Sequence, residues 1–112
     1  LADTSRVWTM DELMAMGEEK YNTVCAACHK ADGTGMPPMF PALAGSEFTT
    51  TGPIADHIDI LLYGRAGTAM QAFGSQLTDA EIAAVVTYTR NAWGNNTVDV
   101  VQPADVSARK NN

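Results

Sequence analysis

Apolar residues recur at helical spacing in three stretches of this 112-residue chain, separated by segments rich in glycine and proline. In the first, Leu13, Gly17, Tyr21 and Val24 follow one another at steps of four, four and three, marking one buried face. Thr9 and Glu12 stand at capping-box spacing before it, and Trp8 and Leu13 at staple spacing. The third stretch repeats this start. Thr78 and Glu81 form the box, Leu77 and Ile82 the staple, and Ile82, Val85, Val86 and Thr89 share a face until Gly94 supplies a stop. Between them, Pro53 occupies a favoured first-turn position, and Ile54, Ile58, Leu61 and Leu62 fall on one side. No segment alternates well enough to be a sheet strand, so the pattern predicts an all-α domain with three main helices. The segment "GRAGTAMQAFG" reads as a flexible loop, and the polar tail with its short apolar island is expected to pack loosely or fray.

Three short helices joined by so much loop make a thin core unless something large and apolar sits at its centre. One domain is the natural count at this length. The chain carries 7 basic against 13 acidic residues, a formal charge of −6, which argues against nucleic acid or an anionic membrane surface as partner. A protein docking here through charge is expected to present a basic patch. No apolar run is long enough to span a bilayer, so this stretch is expected not to insert in a membrane. The first residues carry no signal-peptide pattern, as expected of a processed chain or of a piece of a longer one.

The chemistry concentrates in "VCAACHK". Cys25 and Cys28 are the chain's only cysteines, and His29 follows directly. A thioredoxin-like dithiol belongs at a helix N-terminus among strands, whereas this pair ends a helical run. A structural zinc site needs four ligands, and the only other histidine is His57. A disulfide would close a loop too small to stabilise much. C-x-x-C-H is the attachment signature of c-type haem: two thioethers from Cys25 and Cys28, and His29 as iron ligand. One covalent haem c would also fill the thin core.

A second axial ligand is the next requirement. Met10, Met14 and Met16 lie at the first helix, and Met36 and Met39 follow the motif so closely that their loop is expected on the same side of the ring as His29. Met70 lies 41 positions beyond His29 (70 minus 29), in a loop able to reach the opposite face. It is the expected ligand; the alternative is a methionine packed on the ring edge.

The order "CAACH", "FPALAG", loop methionine and C-terminal helix resembles a class I cytochrome c. The resemblance implies that the Pro41 carbonyl accepts a hydrogen bond from the His29 ring, and that Gly17 and Tyr21 cross the last helix, with Val85 and Tyr88 as partners. The text from about Trp8 to Val106, including "MPPMFPALAGS" and "VVQPADV", is similar to the cytochrome c domain fused to subunit II of caa3-type haem–copper oxidases. On that resemblance residues 1–8 are a linker, 9–94 the cytochrome domain and 95–112 a C-terminal tail.

Arg65 is expected either to neutralise a haem propionate or to be a solvated loop cation. Tyr63 and Trp93 are expected in ordinary core positions, the alternative being packing on the haem ring or its propionate oxygens. His57, between Asp56 and Asp59, is expected on the exposed face of its helix.

With His29 and Met70 both bound, the iron would have no open position. The expected function is therefore one-electron transfer rather than catalysis. The expected donor is an upstream cytochrome or bc1-type complex, and the expected acceptor the CuA domain of an oxidase, on the periplasmic side of a bacterial membrane. The alternatives are a free-standing periplasmic shuttle and an open-iron haem enzyme or gas sensor.

Overall fold

The two Thr-x-x-Glu boxes open the two long helices of the computed structural model, which describes residues 6–110. At α1 (Met10–Lys20), Thr9 Oγ1 accepts from the Glu12 amide at 3.1 Å while the Thr9 amide donates to Glu12 Oε1 at 2.9 Å. Thr78 and Glu81 repeat this at the start of the helix numbered α5 (Asp79–Asn91), at 3.1 and 2.8 Å. Leu13 and Ile82, the first-turn partners of the two staples, are completely buried, and Trp8 and Leu77 pack against the same core.

The helical run does not stop at Lys20. It widens into one π-helical turn, Tyr21–Cys25, and resumes as α2 (Ala26–His29). The extra residue in that turn shifts the phase of everything after it, and such widened turns favour functional positions. A single turn, α3 (Glu47–Thr50), is capped by Ser46, whose hydroxyl accepts from the Thr49 amide at 3.2 Å. The middle helix, α4 (Ile54–Tyr63), buries Ile58, Leu61 and Leu62, with Pro53 at its N-cap, one place before the first turn.

α1 and α5 cross at Gly17. A Cβ there would lie 2.2 Å from the Ala84 carbonyl oxygen and 2.6 Å from Tyr88 Cβ, so only glycine lets the two backbones meet. The partner is Ala84, with Tyr88, rather than Val85. α5 is buried nearly all round, and Val85 faces the cavity described below. Periodicity could not choose between two apolar faces of one helix.

The architecture is all-α. The described residues contain no sheet strand, and the isolated Met36–Phe40 bridge is the sole strand-like pairing. The three expected main helices are α1, α4 and α5, and the difference lies in the tail. The tail expected to pack loosely carries α6 (Pro103–Lys110), with Val101 at 1% exposure and Val106 at 0%. Arg109 pairs with Asp59 of α4 through two bonds of 2.9 and 2.7 Å, and Lys110 pairs with Asp79 of α5. The Gln102 side-chain amide clamps the Trp8 backbone, accepting from its main-chain N–H at 2.8 Å and donating to its main-chain carbonyl at 3.0 Å. Every one of these partners is remote in sequence, which is why the tail's polar composition concealed its docking.

Candidate functional site

The end of the first helical run, the loop of residues 36–46, α4 and the loop of residues 65–71 enclose a cavity of about 620 Å3. That is within the range of sites that hold a compact cofactor. Its lining is mostly apolar, including Val24, Phe40, Leu61, Phe73 and Val85, and it includes Cys25, Cys28, His29, Pro41, Arg65 and Met70. Thus all six residues singled out by the sequence line a single cavity.

The histidine is the best-defined group. His29 Nδ1 lies 2.9 Å from the Pro41 carbonyl oxygen. A carbonyl can only accept, so the proton resides on Nδ1 and the Nε2 lone pair is left for a metal. The geometry is set from both sides: Gly35 N donates to the His29 carbonyl at 2.9 Å, and Phe40 and Met36 exchange backbone bonds of 2.7 and 2.9 Å. Gly35, at φ +65°, packs so closely that a Cβ would meet the Phe40 and Pro41 carbonyls at 2.5 and 2.7 Å. The loop is held from behind by Asn95, whose side chain donates to the Leu43 and Thr89 carbonyls at 3.1 and 2.7 Å and accepts from the Gly45 amide at 2.7 Å.

The cysteines are half-buried free thiols with no disulfide between them. Burial, with the neighbouring Cys28 second, pushes the Cys25 thiol up to about 11. A reactive dithiol needs the opposite shift, so the environment disfavours thiolate redox chemistry. No group of three or more His, Cys, Asp or Glu side chains is arranged to hold a metal among the described residues. A metal at this cavity therefore requires a different donor set.

Met70 is half-buried against the core. Its loop is closed on itself: Arg65 N donates to the Met70 carbonyl at 3.0 Å, and the Thr68 hydroxyl donates to the Arg65 carbonyl at 2.8 Å. Gly64, at φ +70°, makes the turn into it, where a Cβ would meet the Met70 carbonyl at 2.7 Å. Arg65 itself is exposed, at the cavity lining and without a carboxylate partner among the described residues.

Three other placements differ from expectation. Tyr63 is 58% exposed, its hydroxyl donating to the Arg109 carbonyl, because α6 supplies the partner that the core does not. Trp93 is half-buried: its ring covers Gly33 and meets Tyr21 and Tyr88 edge-on, and its N–H donates to the Ala31 carbonyl at 3.0 Å. His57 is not on the exposed face: only 4% of it reaches solvent, and it lines the cavity. Its Nδ1 accepts from Arg90 at 3.3 Å, so its proton sits on Nε2, 3.3 Å from the Thr89 hydroxyl. Arg90 is itself buried, bonded to Asp99 and to the Phe48 and Gly52 carbonyls. The flanking aspartates suggested a polar face, whereas the decisive partner lies 33 residues away.

Residues 12–88 match the sequence profile of a family described as cytochrome C oxidase, cbb3-type, subunit III. This chain belongs to that family, as a class I cytochrome c domain. Membership implies a covalently held haem c and redox proteins as partners. The domain is 35% identical over 99 residues to the cytochrome c subunit of alcohol dehydrogenase (quinone) from Gluconobacter oxydans, covering 80% of this chain and 21% of that one. It therefore spans about a fifth of such a subunit. It is 39% identical over 83 residues to cytochrome c-552 of Thermus thermophilus, covering 62% of this chain and 63% of that one. Cytochrome cL from Hyphomicrobium denitrificans shares the fold, with a TM-score of 0.59 at 22% identity over 72% of this chain and 48% of that one. These relatives are dehydrogenase subunits and cytochromes, not caa3 oxidase domains specifically. In this cytochrome domain no helix among the described residues is long and apolar enough to cross a membrane.

The cavity fits a haem. Its apolar lining, two unpaired thiols, an imidazole with a free Nε2 and a thioether from another loop form a donor set that suits covalently held iron porphyrin, and the thiols and imidazole are not grouped as a metal-ion site among the described residues.

Proposed function

We propose that this cytochrome domain is a one-electron carrier in which Cys25 and Cys28 would hold one haem c covalently and His29 and Met70 would hold its iron. The single observation that carries it is the 2.9 Å bond from His29 Nδ1 to Pro41, which leaves Nε2 free at a cavity shared with both thiols and with Met70. When bound, the haem supplies a one-electron couple. The residues of the chain set its conditions. Cys25 and Cys28 fix the ring, and the Pro41 carbonyl holds the imidazole in one tautomer and raises its basicity. The Met70 thioether favours the reduced state, and Arg65 offers a charge-assisted bond to a ring carboxylate. Apolar walls from Val24, Leu61 and Phe73 exclude water. With His29 and Met70 both holding the iron, no position on it would remain for a substrate.

For partners, the similarity to the subunit II cytochrome domain supports delivery of electrons to a copper centre of a haem–copper oxidase, from an upstream cytochrome or bc1-type complex. Covalent haem attachment supports a periplasmic location. A second reading, a module of a dehydrogenase cytochrome subunit, is favoured by the alcohol dehydrogenase relative; cytochrome c-552 favours a free shuttle. The test is an absorption spectrum of the matured protein in both oxidation states, with and without carbon monoxide, beside Met70→Ala. The expected result is a coloured protein with no rapid carbon monoxide binding, whose variant binds it and has an altered ferric spectrum. An unchanged ferric spectrum in the variant removes Met70 as ligand; rapid binding by the unmodified protein favours an open iron.

A further inference from the structure

We infer that Arg90 and Asp99, neither of which lines the cavity, set the reduction potential of the haem from behind the wall: the buried cation favours the reduced state, and the carboxylate moderates it. The inference rests on the electron-carrier reading and adds two tuning residues to it. Both lie beyond residue 88, where the family profile ends.

Arg90 is the only lysine, arginine, aspartate or glutamate buried among the described residues, at 3% exposure. Its Nε donates to Asp99 Oδ2 at 2.9 Å, and one terminal nitrogen donates to the Gly52 carbonyl at 2.8 Å. The other terminal nitrogen donates to the Phe48 carbonyl and to His57 Nδ1, at 3.4 and 3.3 Å. Three of these partners are neutral. The sole counter-charge is the Asp99 carboxylate, held by one bond and 31% exposed. Burying such a pair seldom adds stability over apolar side chains of similar size, so its presence calls for another use.

The cation reaches the cavity through His57. That ring lines the wall, accepts from Arg90 on Nδ1, and carries its proton on Nε2 beside the Thr89 hydroxyl, which lines the wall as well. Thr89 donates onward to the Val85 carbonyl at 3.0 Å, so a lone pair of its oxygen meets the imidazole N–H. The imidazole dipole thus turns its positive end away from Arg90, in the same sense as the charge behind it. Phe48, whose carbonyl Arg90 also holds, is a third wall residue. One imidazole therefore separates a full positive charge from the space that the haem would fill. In a buried, mostly apolar setting such a charge is weakly screened, whereas Arg65, the cation in the lining, is exposed to water. One-electron reduction removes one positive charge at the iron, so a nearby cation stabilises the reduced form more than the oxidised one. Asp99 subtracts from that field, and only in part, because water reaches it.

The test measures midpoint potentials of the matured protein at neutral pH, by titration against redox mediators. Asp99→Asn keeps an acceptor for Arg90 Nε and removes the counter-charge. It should shift the equilibrium toward the reduced form at least about threefold, a rise of about 28 mV at about 59 mV per tenfold. Arg90→Gln should shift it the other way by at least as much. The opposite signs separate tuning from loosening: water admitted to the cavity favours the more highly charged oxidised form, and would lower the potential in both variants. Asp59→Asn is the control. It too frees an arginine and an anchor of the C-terminal segment, at a matching carboxylate exposure of 33%, but its Arg109 is 34% exposed rather than buried. The expected shift there is less than about 1.5-fold. A fall or no change for Asp99→Asn, or an equal rise for Asp59→Asn, overturns the inference; where Arg90→Gln does not fold, those two variants decide it. Absorption spectra taken first keep the two claims apart: a colourless protein sinks the electron-carrier reading, whereas a coloured one whose potential does not rise in Asp99→Asn sinks the tuning pair alone.

Discussion

His57 shows how one side chain can reverse its expected role when the chain folds. Burial, with the Arg90 cation second, depresses its pKa to about 3, so it stays neutral in the folded protein. In the unfolded chain it protonates near the ordinary value of about 6.5. The neutral form is therefore the one that folding favours. Its contribution is complete above about pH 6.5 and is lost as pH falls below it, by about 1.4 kcal/mol per pH unit. Unfolding midpoints of the matured protein should drop between about pH 6.5 and 5, before most carboxylates titrate. A His57→Gln variant, less stable at pH 7, should be nearly flat across that window. Equal slopes for the two proteins in denaturant titrations would refute the assignment.

Among the elements, the crossing of α1 and α5 is the tightest contact. Gly17→Ala would put a methyl group 2.2 Å from a carbonyl oxygen in the middle of α5, where nothing flexible can yield. The helices must separate, at a cost of about 3 kcal/mol, the upper part of the usual overpacking range. Guanidinium unfolding followed by circular dichroism measures it; a loss under about 1 kcal/mol would mean that the crossing is looser than described. The same contact shows what pattern reading reaches. The two capping boxes marked both helix starts to the residue, whereas the close approach at Gly17 was implied by the resemblance to class I cytochromes c rather than by the pattern. Which residue of α5 it meets was out of reach, because α5 is apolar on more than one side.

At the scale of the molecule, α6 and the segment before it act as a strap over α4, α5 and the start of α1. The family profile ends at residue 88, before this strap begins. Ending the chain at Asn96 would remove buried Val101 and Val106 and leave Arg90 buried without Asp99. The expected loss is at least about 4 kcal/mol, since breaking a buried pair alone costs several. Thermal melts of matured full-length and shortened chains would show it, and matching melting temperatures would mean that the strap is ornamental. Met70 should remain beside the cavity in the shortened form, because its loop closes on itself through Arg65 and Thr68.

By itself the sequence determined the all-α class, both capped helix starts, the haem-attachment signature and the loop methionine that stands apart from the other five. Each of these is local: a cap, a face or a five-residue motif is written in neighbouring residues. Only the tertiary structure decided that His57 is buried and neutral and that the tail is a docked helix. Those features depend on pairs such as His57 with Arg90, Asp59 with Arg109 and Trp8 with Gln102. Such contacts are fixed by how helices pack in space, and a pattern along one strand of text carries no trace of which distant residue arrives.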